Sequence, residues 1–449
     1  MSHHCSIDFL IESKRLDYHL HDSGNSMNRR NNSLRQLVAV AALTSLVACS
    51  ESSSSKAGSD FGDTTPTTPT PPPTNTFNQQ ALLANIVDNI ITPTYQQFET
   101  HATNQHQAIS DYCGLEKDFT SGDDRQPLTD LLTTAQSQWL TTINQWQLAE
   151  VMQIGPLTVN SSTLRNNIYS WPVVSYCGVD QDVMFFRAGN INSTPYDITN
   201  RTATRRGLDA VEYLLYNSSF DHSCSTTKPI LETWPDLSEQ EKRVARCNFA
   251  TEVADDIANS AKSLNQQWAT YATTLKTAGE AGNDFADVHD GVNAVSDALF
   301  YLDKMVKDSK IGTPLGLFSN SCGGVGSVCV ADVESPLSAQ SVSHLIQNLT
   351  AFKQIFTGQG TDSANTIGFD DYLIDVDDKA TSDAIIASTQ QAIDDLTAYQ
   401  QNLAAQLNDD AAIVETSHGK VKAVSDKLKT DFINSLALKL PATSAGDND

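Results

Sequence analysis

Most of the chain beyond residue 79 carries apolar residues every three or four positions, the spacing that places them on one face of an α-helix. The longest such stripe predicts a helix within 239–274, and shorter stripes lie towards both ends. Alternating apolar and polar positions, which predict strands, are scarce. Pro93 interrupts the first stripe and predicts a kink or the start of a new helix. In chain order, the stripes are Leu83, Val87, Ile90, Tyr95 and Phe98; Val253, Ile257, Ala261, Leu264, Trp268 and Tyr271; and Thr389, Ile393, Leu396, Tyr399 and Leu403.

Long amphipathic helices bury their stripes against one another, so the pattern predicts an all-α fold of packed helical bundles. The folded part has roughly 360 residues, enough for two domains by the usual length of a domain. We therefore predict a first bundle over 79–225 and a second over 226–440. The segments 207–216 and 291–300 align without gaps, which indicates an internal duplication. Chance similarity between two alanine-rich amphipathic helices explains the match almost as well.

A short apolar stretch precedes the folded part. Leu37 to Ala48 carries no charge, and Arg29, Arg30 and Arg35 lie before it. A membrane-spanning helix needs about 20 apolar residues, so this stretch is too short to be one. A secretory signal peptide typically has a basic region, then a short apolar region, then small residues at the signal-peptidase cleavage site. The stretch ends in the motif Leu-Val-Ala-Cys, which resembles the lipobox of bacterial lipoproteins and predicts acylation of Cys49.

These features divide the N-terminal part of the chain. We predict Met27 as the true start, residues 1–26 as a start-site artefact, and 27–48 as the lipoprotein signal peptide. An ordinary signal peptide that happens to end at a cysteine is the alternative. Residues 49–78 form a lipidated tether, since their Ser, Thr and Pro content cannot build a core and keeps the chain extended. Residues 441–449 are predicted to be a disordered tail.

The net charge indicates which partners the protein can bind, and the residue after the lipidated cysteine indicates where the protein is located. The formal net charge is −25, and such a surface repels phosphate backbones, so we expect no nucleic-acid partner. It suits cations, and equally it serves solubility. The predicted contact with the membrane is the lipid anchor. Ser50 follows the cysteine where an aspartate favours retention at the inner membrane of Gram-negative bacteria, so we predict an outer-membrane lipoprotein of the cell envelope.

Six cysteines follow Cys49, and an even number in an exported chain predicts disulfides. A structural zinc site would need closely spaced CxxC pairs, and the sequence has none. Six cysteines allow 15 connectivities. Proximity along the sequence favours the pairs Cys322–Cys329, Cys224–Cys247 and Cys113–Cys177.

One predicted helix, over residues 205–217, carries polar residues that are candidates for metal binding or catalysis. Its polar side chains recur at helical spacing, so two acids and a phenol project from one face, with a base one turn earlier. Neighbouring carboxylates repel, and both stay ionised only beside a cation, which is either Arg205 or a metal. A helix whose polar face merely carries an Arg–Asp pair is the alternative. The polar stripe consists of Arg205, Asp209, Glu212 and Tyr216.

This helix and four other segments resemble the imelysin-like family. The sequence GLDAVEYLLYN, from residue 207, resembles the family's signature helix, whose motif is often written Gly-x-His-x-x-Glu. The other segments follow the family's order, and the resemblance covers about 79–440. They are ANIVDNIITPTYQQF (84–98), Trp171-Pro172, LDKMVKDSKIGTPLG (302–316) and VESPLSAQSVSHLIQNLTAF (333–352).

The resemblance implies a fold of two helical bundles with a site at their interface, near the signature helix. Members are bacterial cell-envelope proteins associated with iron uptake, and one branch is described as an insulin-cleaving peptidase. Gly207 and Glu212 match the motif, whereas Asp209 stands where many members have histidine. An oxygen ligand therefore replaces a nitrogen ligand. This departure puts histidine-dependent catalysis in doubt and leaves binding of a hard cation open.

Three functions follow. The first is an iron-acquisition binding protein that holds iron or serves iron-uptake components of the envelope, with Asp209 and Glu212 as metal ligands. Glu415 and His418, three apart on a predicted helix, are candidates for further ligands, although solvated surface residues are their more ordinary role. The second is a metallopeptidase, but the sequence has neither HExxH nor GxSxG. The third is a ligand-free structural or docking lipoprotein.

The lipobox gives the first testable prediction. We expect Cys49→Ser to accumulate as an unprocessed precursor without labelled fatty acid, because the thiol that accepts the acyl chain is gone. Metabolic labelling and immunoblotting of the membrane fraction measure this. Normal processing of the variant would contradict the lipoprotein assignment.

Overall fold

The computed structural model describes residues 76–120, 122–360, 366–442 and 444, and this part is almost wholly helical. The all-α prediction is confirmed. Two strands, β1 (Asn190–Ile191) and β2 (Thr194–Pro195), form one short antiparallel ladder. The helices are α1 (Gln79–Ile86), α2 (Thr92–Asp118), α3 (Gln126–Val151), α4 (Val159–Ile168), α5 (Tyr176–Ala188), α6 (Leu208–Tyr216), α7 (Glu239–Lys276), α8 (Val288–Leu299), α9 (Thr313–Leu315), α10 (Ser341–Thr357), α11 (Phe369–Asp375), α12 (Lys379–Thr397), α13 (Leu403–Asp409), α14 (Ala411–Lys427) and α15 (Ile433–Ser435).

Shorter helical segments of other pitch join these elements. Three π-helical segments continue directly into α2, α9 and α15. Six 3-10 turns lie in the connections, one of them directly before α6. The π-helical segments are Val87–Ile91, Leu302–Gly312 and Leu428–Phe432, and the 3-10 turns are Gly155–Leu157, Ile198–Asn200, Ala203–Arg205, Pro229–Leu231, Trp234–Asp236 and Val330–Asp332.

The long predicted helix is α7, which begins at a capping box. Ser238 Oγ accepts the Glu241 backbone N–H, and the Glu241 carboxylate accepts the Ser238 N–H, so two otherwise unpaired donors are satisfied. The predicted stripe is buried from Val253 to Trp268, with Tyr271 partly buried. This face packs along α2, and α2 also packs on α3. Helices on both sides of residue 225 are therefore in contact. The two-bundle division and the duplication remain predictions.

The other two stripes are confirmed except at one end. The first stripe is buried, and Pro93 lies in the first turn of α2, as predicted for a new helix start. The third stripe was extended too far, because α12 ends at Thr397 and Tyr399 lies beyond it. A new helix begins at Leu403, where the Asn402 side chain accepts the Ala405 N–H and caps it.

Among the described residues three disulfides are present, as predicted, but two of the predicted pairings are wrong. Cys322–Cys329 is confirmed. The other predictions followed proximity along the sequence, whereas α2 and α7 lie side by side and bring together two cysteines 134 positions apart, with Cα atoms separated by 5.4 Å. The third bond ties α5 to the chain that follows α6. The bonds are Cys113–Cys247, Cys177–Cys224 and Cys322–Cys329.

Several predictions concern residues that the structure does not describe. The signal peptide, the lipobox and the tether up to residue 75 lie outside the described residues, as does most of the predicted tail. Within the described part, no helix combines the length and apolar character needed to cross a membrane.

The disulfides differ in the length of chain that each one closes. In the chain-entropy model, the bond across 134 residues stabilises by about 5 kcal/mol and the bond across seven by about 2 kcal/mol. We therefore expect the double variant Cys113→Ser/Cys247→Ser to lose more unfolding free energy in urea than Cys322→Ser/Cys329→Ser. Thiol counting on denatured, unreduced wild type should find none of the six cysteines free. Equal losses in the two variants would contradict this ranking.

Candidate ligand site

The signature helix α6 contributes to a pocket of about 400 Å³, called here the acidic pocket. Its walls come from both sides of residue 225: the segment after α4, the first half of α6, the chain around α9, and the loop between α9 and α10. Four of the five segments that carry the family resemblance contain or flank lining residues. The lining residues are Trp171, Pro172, Val174, Tyr176, Asp209, Glu212, Ser309, Thr313, Ser319, Asn320, Ser321, Ala331, Asp332, Val333, Ser335 and Pro336.

Gly207 fixes where α6 begins. Its φ is +89°, and a Cβ at this position would lie 2.8 Å from the carbonyl oxygen of Ile168. Only glycine combines this backbone conformation with so close an approach. The first turn of α6 is therefore held against the end of α4 and the residues that follow it.

The alternative interpretation of the polar stripe, an ion pair between Arg205 and Asp209, is not found among the residues that the structure describes. Arg205 lies in the 3-10 turn before Gly207, so the helical spacing used to align it with Asp209 does not extend that far. Its guanidinium donates instead to Asp182 Oδ1 at 3.0 Å and to the carbonyl oxygen of Gly178 at 3.3 Å.

Asp209 is held by hydrogen bonds to one of its two oxygens. Its Oδ2 accepts the Ser170 N–H at 2.7 Å, the Ser170 hydroxyl at 3.0 Å and the Trp171 N–H at 3.0 Å. The side chain is buried but lines the pocket. Among the described residues, no hydrogen bond reaches Oδ1. One oxygen fixes the carboxylate, and the other is free to accept a ligand.

Glu212, one turn later on α6, has the same arrangement with different donors. Its Oε1 accepts the Ser338 N–H at 2.8 Å and the Ser338 hydroxyl at 2.7 Å. Within the described part of the chain, Oε2 accepts no hydrogen bond. The two donors come from the loop that leads into α10, so Glu212 fastens this loop to α6. Asp209 and Glu212 therefore each present one unused oxygen from the same helix face.

Burial changes the acidity of both carboxyls. It raises the pKa of Asp209 from 3.8 to about 7, against the lowering effect of the Ser170 hydrogen bonds, and the Glu212 charge raises it further. Burial also raises the pKa of Glu212, although the Ser338 hydrogen bonds and His344 oppose the shift. No arginine neutralises the pair by direct contact within the described residues. A bound cation would supply the missing charge.

Of the other residues that the sequence predicted for the site, two line the acidic pocket and three do not. Trp171 and Pro172 line the pocket and are joined by a cis peptide bond. Tyr216 turns away, and its hydroxyl donates to the carbonyl oxygen of Gln136. Glu415 is exposed and His418 is buried on α14, and neither lines the acidic pocket.

A buried charge cluster behind the pocket was missed by spacing alone. Glu334 lies between two pocket-lining residues and is almost fully buried. It accepts the Tyr169 hydroxyl at 2.6 Å, and Lys310 Nζ lies 3.0 Å away. Burial disfavours its charge, but Lys310 and His344 hold the pKa of Glu334 well below its usual range. The signal that pointed to this cluster was the family resemblance over 302–316 and 333–352.

The donor set suits a hard cation but is incomplete. Two carboxylates face the pocket from α6, and Asp332 lies on another wall, where it accepts the N–H and hydroxyl of Ser321. No group of three or more His, Cys, Asp or Glu side chains in the described ranges is arranged to hold a metal ion. A cation here would complete its shell with water, hydroxyl groups or a ligand of its own.

The Asp209 carboxyl gives a prediction for the dependence of stability on pH. Its proton is retained in the folded state up to about pH 7 and lost near pH 4 on unfolding, so the free energy of unfolding falls between these values. A shift of this size corresponds to about 4 kcal/mol. Asp209→Asn keeps an oxygen for the three donors and removes the titration. Relative to wild type, it should therefore gain stability as pH rises from 4 to 7, measured by urea unfolding. Glu415→Gln is the exposed control, and parallel curves for Asp209→Asn and wild type would contradict the shift.

Comparison with known proteins agrees with this architecture. A structure of an imelysin-like protein from Psychrobacter arcticum 273-4 has 17% sequence identity and a TM-score of 0.59, covering 81% of this chain and 96% of that one. A protein from Parabacteroides distasonis ATCC 8503, described as an iron-regulated protein A precursor, has 16% identity and a TM-score of 0.60, with 80% and 94% covered. At this identity the likeness establishes a shared fold.

The match to a family model is more specific. No curated protein matches this chain. Residues 91–430, more than half of the chain, match the model of imelysin, which is also called peptidase M75. They include the signature helix and every segment that lines the acidic pocket. The chain belongs to the imelysin family.

Proposed function

We propose that this protein is a cell-envelope binding protein in iron acquisition, and that the acidic pocket holds iron through Asp209 and Glu212. The proposal rests on the different hydrogen bonding of the two oxygens in each carboxylate. One oxygen is fixed by backbone and hydroxyl donors, and the other is left without a hydrogen bond on a pocket wall. The family membership and the iron-regulated neighbour support the same conclusion.

The raised pKa values fit a site that is completed by a cation. Burial raises the cost of ionising both carboxyls, and the Glu212 charge adds to that cost at Asp209. A cation between them favours the charged forms, so binding releases protons and strengthens as pH rises through 7. Iron here is cargo, and a site with few protein ligands suits an ion that has to be released again.

The segments that line the acidic pocket supply one argument for a protein partner. Large apolar side chains are exposed on the segments that line it, including Val173 at 61% and Val325 at 72%. Leu317, Val328 and Leu337 are also exposed there. Where such exposed apolar side chains form one contiguous patch, they are typical of an interaction surface. An iron-uptake component of the envelope is the partner we propose, and the lipid anchor on Cys49 would hold the protein at the outer membrane.

A metallopeptidase is the second candidate, favoured by one observation. The pKa of Asp209, about 7, is suited to exchanging protons at neutral pH, as a general base must. No histidine lines the acidic pocket within the described part of the chain. Hydrolysis of insulin or casein that is lost in Asp209→Asn would favour this candidate over simple binding.

The test of iron binding uses a variant chosen from the geometry. Glu212→Gln keeps an oxygen for the Ser338 donors and removes the charge that faces the pocket. We expect it to bind iron at least about tenfold more weakly, as loss of even an outer-shell contact costs 10- to 100-fold. Calorimetric titration with ferrous and ferric iron measures this, with growth under chelator as the cellular readout.

Glu415→Gln is the matched control, because this glutamate is exposed and does not line the acidic pocket. It should bind and grow as wild type does. Equal titrations and equal growth for Glu212→Gln and wild type would overturn the iron site. They would favour the ligand-free docking lipoprotein instead.

A further inference from the structure

A second cavity of about 330 Å³ lies at the C-terminal end of α6 and is called here the arginine pocket. It is lined by Arg125, Arg243 and Arg246, although the chain as a whole carries a net charge of −25. Leucines of α3 and α6 form an apolar wall. These are Leu128, Leu132, Leu214 and Leu215.

Two of the arginines stack on aromatic rings, and Arg243 Nη2 also donates to Glu239 Oε2 at 3.0 Å. The Arg125 guanidinium lies 4.3 Å from the centre of the Phe119 ring, and that of Arg243 lies 4.7 Å from the centre of the Phe220 ring. Stacking uses the face of a guanidinium and leaves its in-plane N–H groups available. No hydrogen bond from the Arg125 side chain or from Arg243 Nε is formed within the described residues.

The free donors converge on a buried acid. Glu116 is fully buried, and its Oε2 accepts the Tyr112 hydroxyl at 3.1 Å. Its Oε1 accepts no hydrogen bond among the described residues. Arg125 Nη2 and Arg243 Nε lie 3.8 Å and 3.7 Å from this oxygen, too far for hydrogen bonds. A buried carboxylate oxygen without a hydrogen bond is costly, so this arrangement calls for a further group.

We propose that the arginine pocket binds a free amino acid with an apolar side chain. Its ammonium donates to Glu116 Oε1, its carboxylate accepts from Arg125 and Arg243, and its side chain packs on the leucine wall. A simple carboxylate would leave Glu116 Oε1 without a hydrogen bond and would be repelled by the Glu116 charge. A simple amine would satisfy Glu116 and be repelled by the arginines. A zwitterion with an apolar body satisfies both charges and the wall.

The third arginine, Arg246, has a structural role and is not one of the proposed ligand-binding groups. Arg246 donates to the carbonyl oxygens of Ser219 and Asp221 and is almost fully buried. These contacts fix the chain after α6, which carries Phe220 and hence the stacking partner of Arg243. The proposal is independent of iron, since none of these residues lines the acidic pocket.

Calorimetric titration with L-leucine and L-phenylalanine tests the proposal. Two analogues separate the charges: 4-methylpentanoate lacks the ammonium of leucine, and leucinamide lacks the carboxylate. Each should bind at least about tenfold more weakly than leucine, because a site built for a polar group rejects the analogue that lacks it. Absence of leucine and phenylalanine binding, or equal binding of leucine and its analogues, would overturn the proposal.

Variants identify the site. Arg125→Gln and Glu116→Gln should each weaken leucine binding at least about tenfold, since each removes one charge partner. Arg125 is the safer substitution because 43% of its side chain is exposed, so the fold should tolerate it. Arg187→Gln, at an exposed ion pair with Glu241, is the control and should bind as wild type does. Unchanged leucine binding in a folded Arg125→Gln protein would exclude the arginine pocket as the site.

Discussion

A buried lysine and a buried glutamate determine how the walls of the acidic pocket meet. Lys310 and Glu334 are each about 1% exposed, and charges so far from water have to be paired and hydrogen-bonded. Lys310 Nζ also donates to Gln147 Oε1 on α3 and to Asn348 Oδ1 on α10. Four segments of the chain therefore meet at one ammonium group. The residues on either side of Glu334 form a wall of the pocket because Glu334 itself has to reach this lysine.

The signature helix α6 shows how a short helix can line two pockets. Every residue of α6 from Leu208 to Leu215 is buried, so polar groups on it have to find partners inside the protein. Asp209 fixes the chain after α4, and Glu212 fixes the loop before α10. The end of the same helix supplies leucines to the arginine pocket. Its position is thus determined at both ends, and each pocket has a wall that its neighbours hold rigidly.

Local periodicity was enough to predict the long helices, because a buried stripe places an apolar residue in every turn. The all-α fold, the new helix start at Pro93 and the burial of the α7 stripe all follow from spacing. Spacing failed where the backbone departs from a helix, as at Arg205, which helical counting placed beside Asp209. It also could not predict that Ser170 and Ser338 hold the two acids, since backbone donors leave no mark in a residue pattern.

Pairings between distant segments required the tertiary structure. Proximity along the sequence identified Cys322–Cys329 but not Cys113–Cys247, whose partners meet because α2 and α7 are packed together. The arginine pocket was equally hidden. Arg243 and Arg246 lie three residues apart on α7, but Glu116 is on α2 and Arg125 lies just before α3, and nothing in the spacing relates these two residues to the pair on α7. The Gly207 and Glu212 match drew attention to a helix that lines the acidic pocket, although the network behind the pocket became visible only from its contacts.

The Cys322–Cys329 bond has a consequence for laboratory handling of this protein. It closes a loop of chain whose two ends, near Ser321 and Ala331, both line the acidic pocket. Cys322 is exposed, so thiol reagents such as dithiothreitol can reach the bond. Once reduced, it would leave two free thiols on a loop whose ends line the acidic pocket, and soft sulfur ligands attract a different set of metals from oxygen. Dithiothreitol can therefore open the loop that carries this wall of the pocket, whereas a reductant without a thiol, such as ascorbate, leaves the disulfide intact.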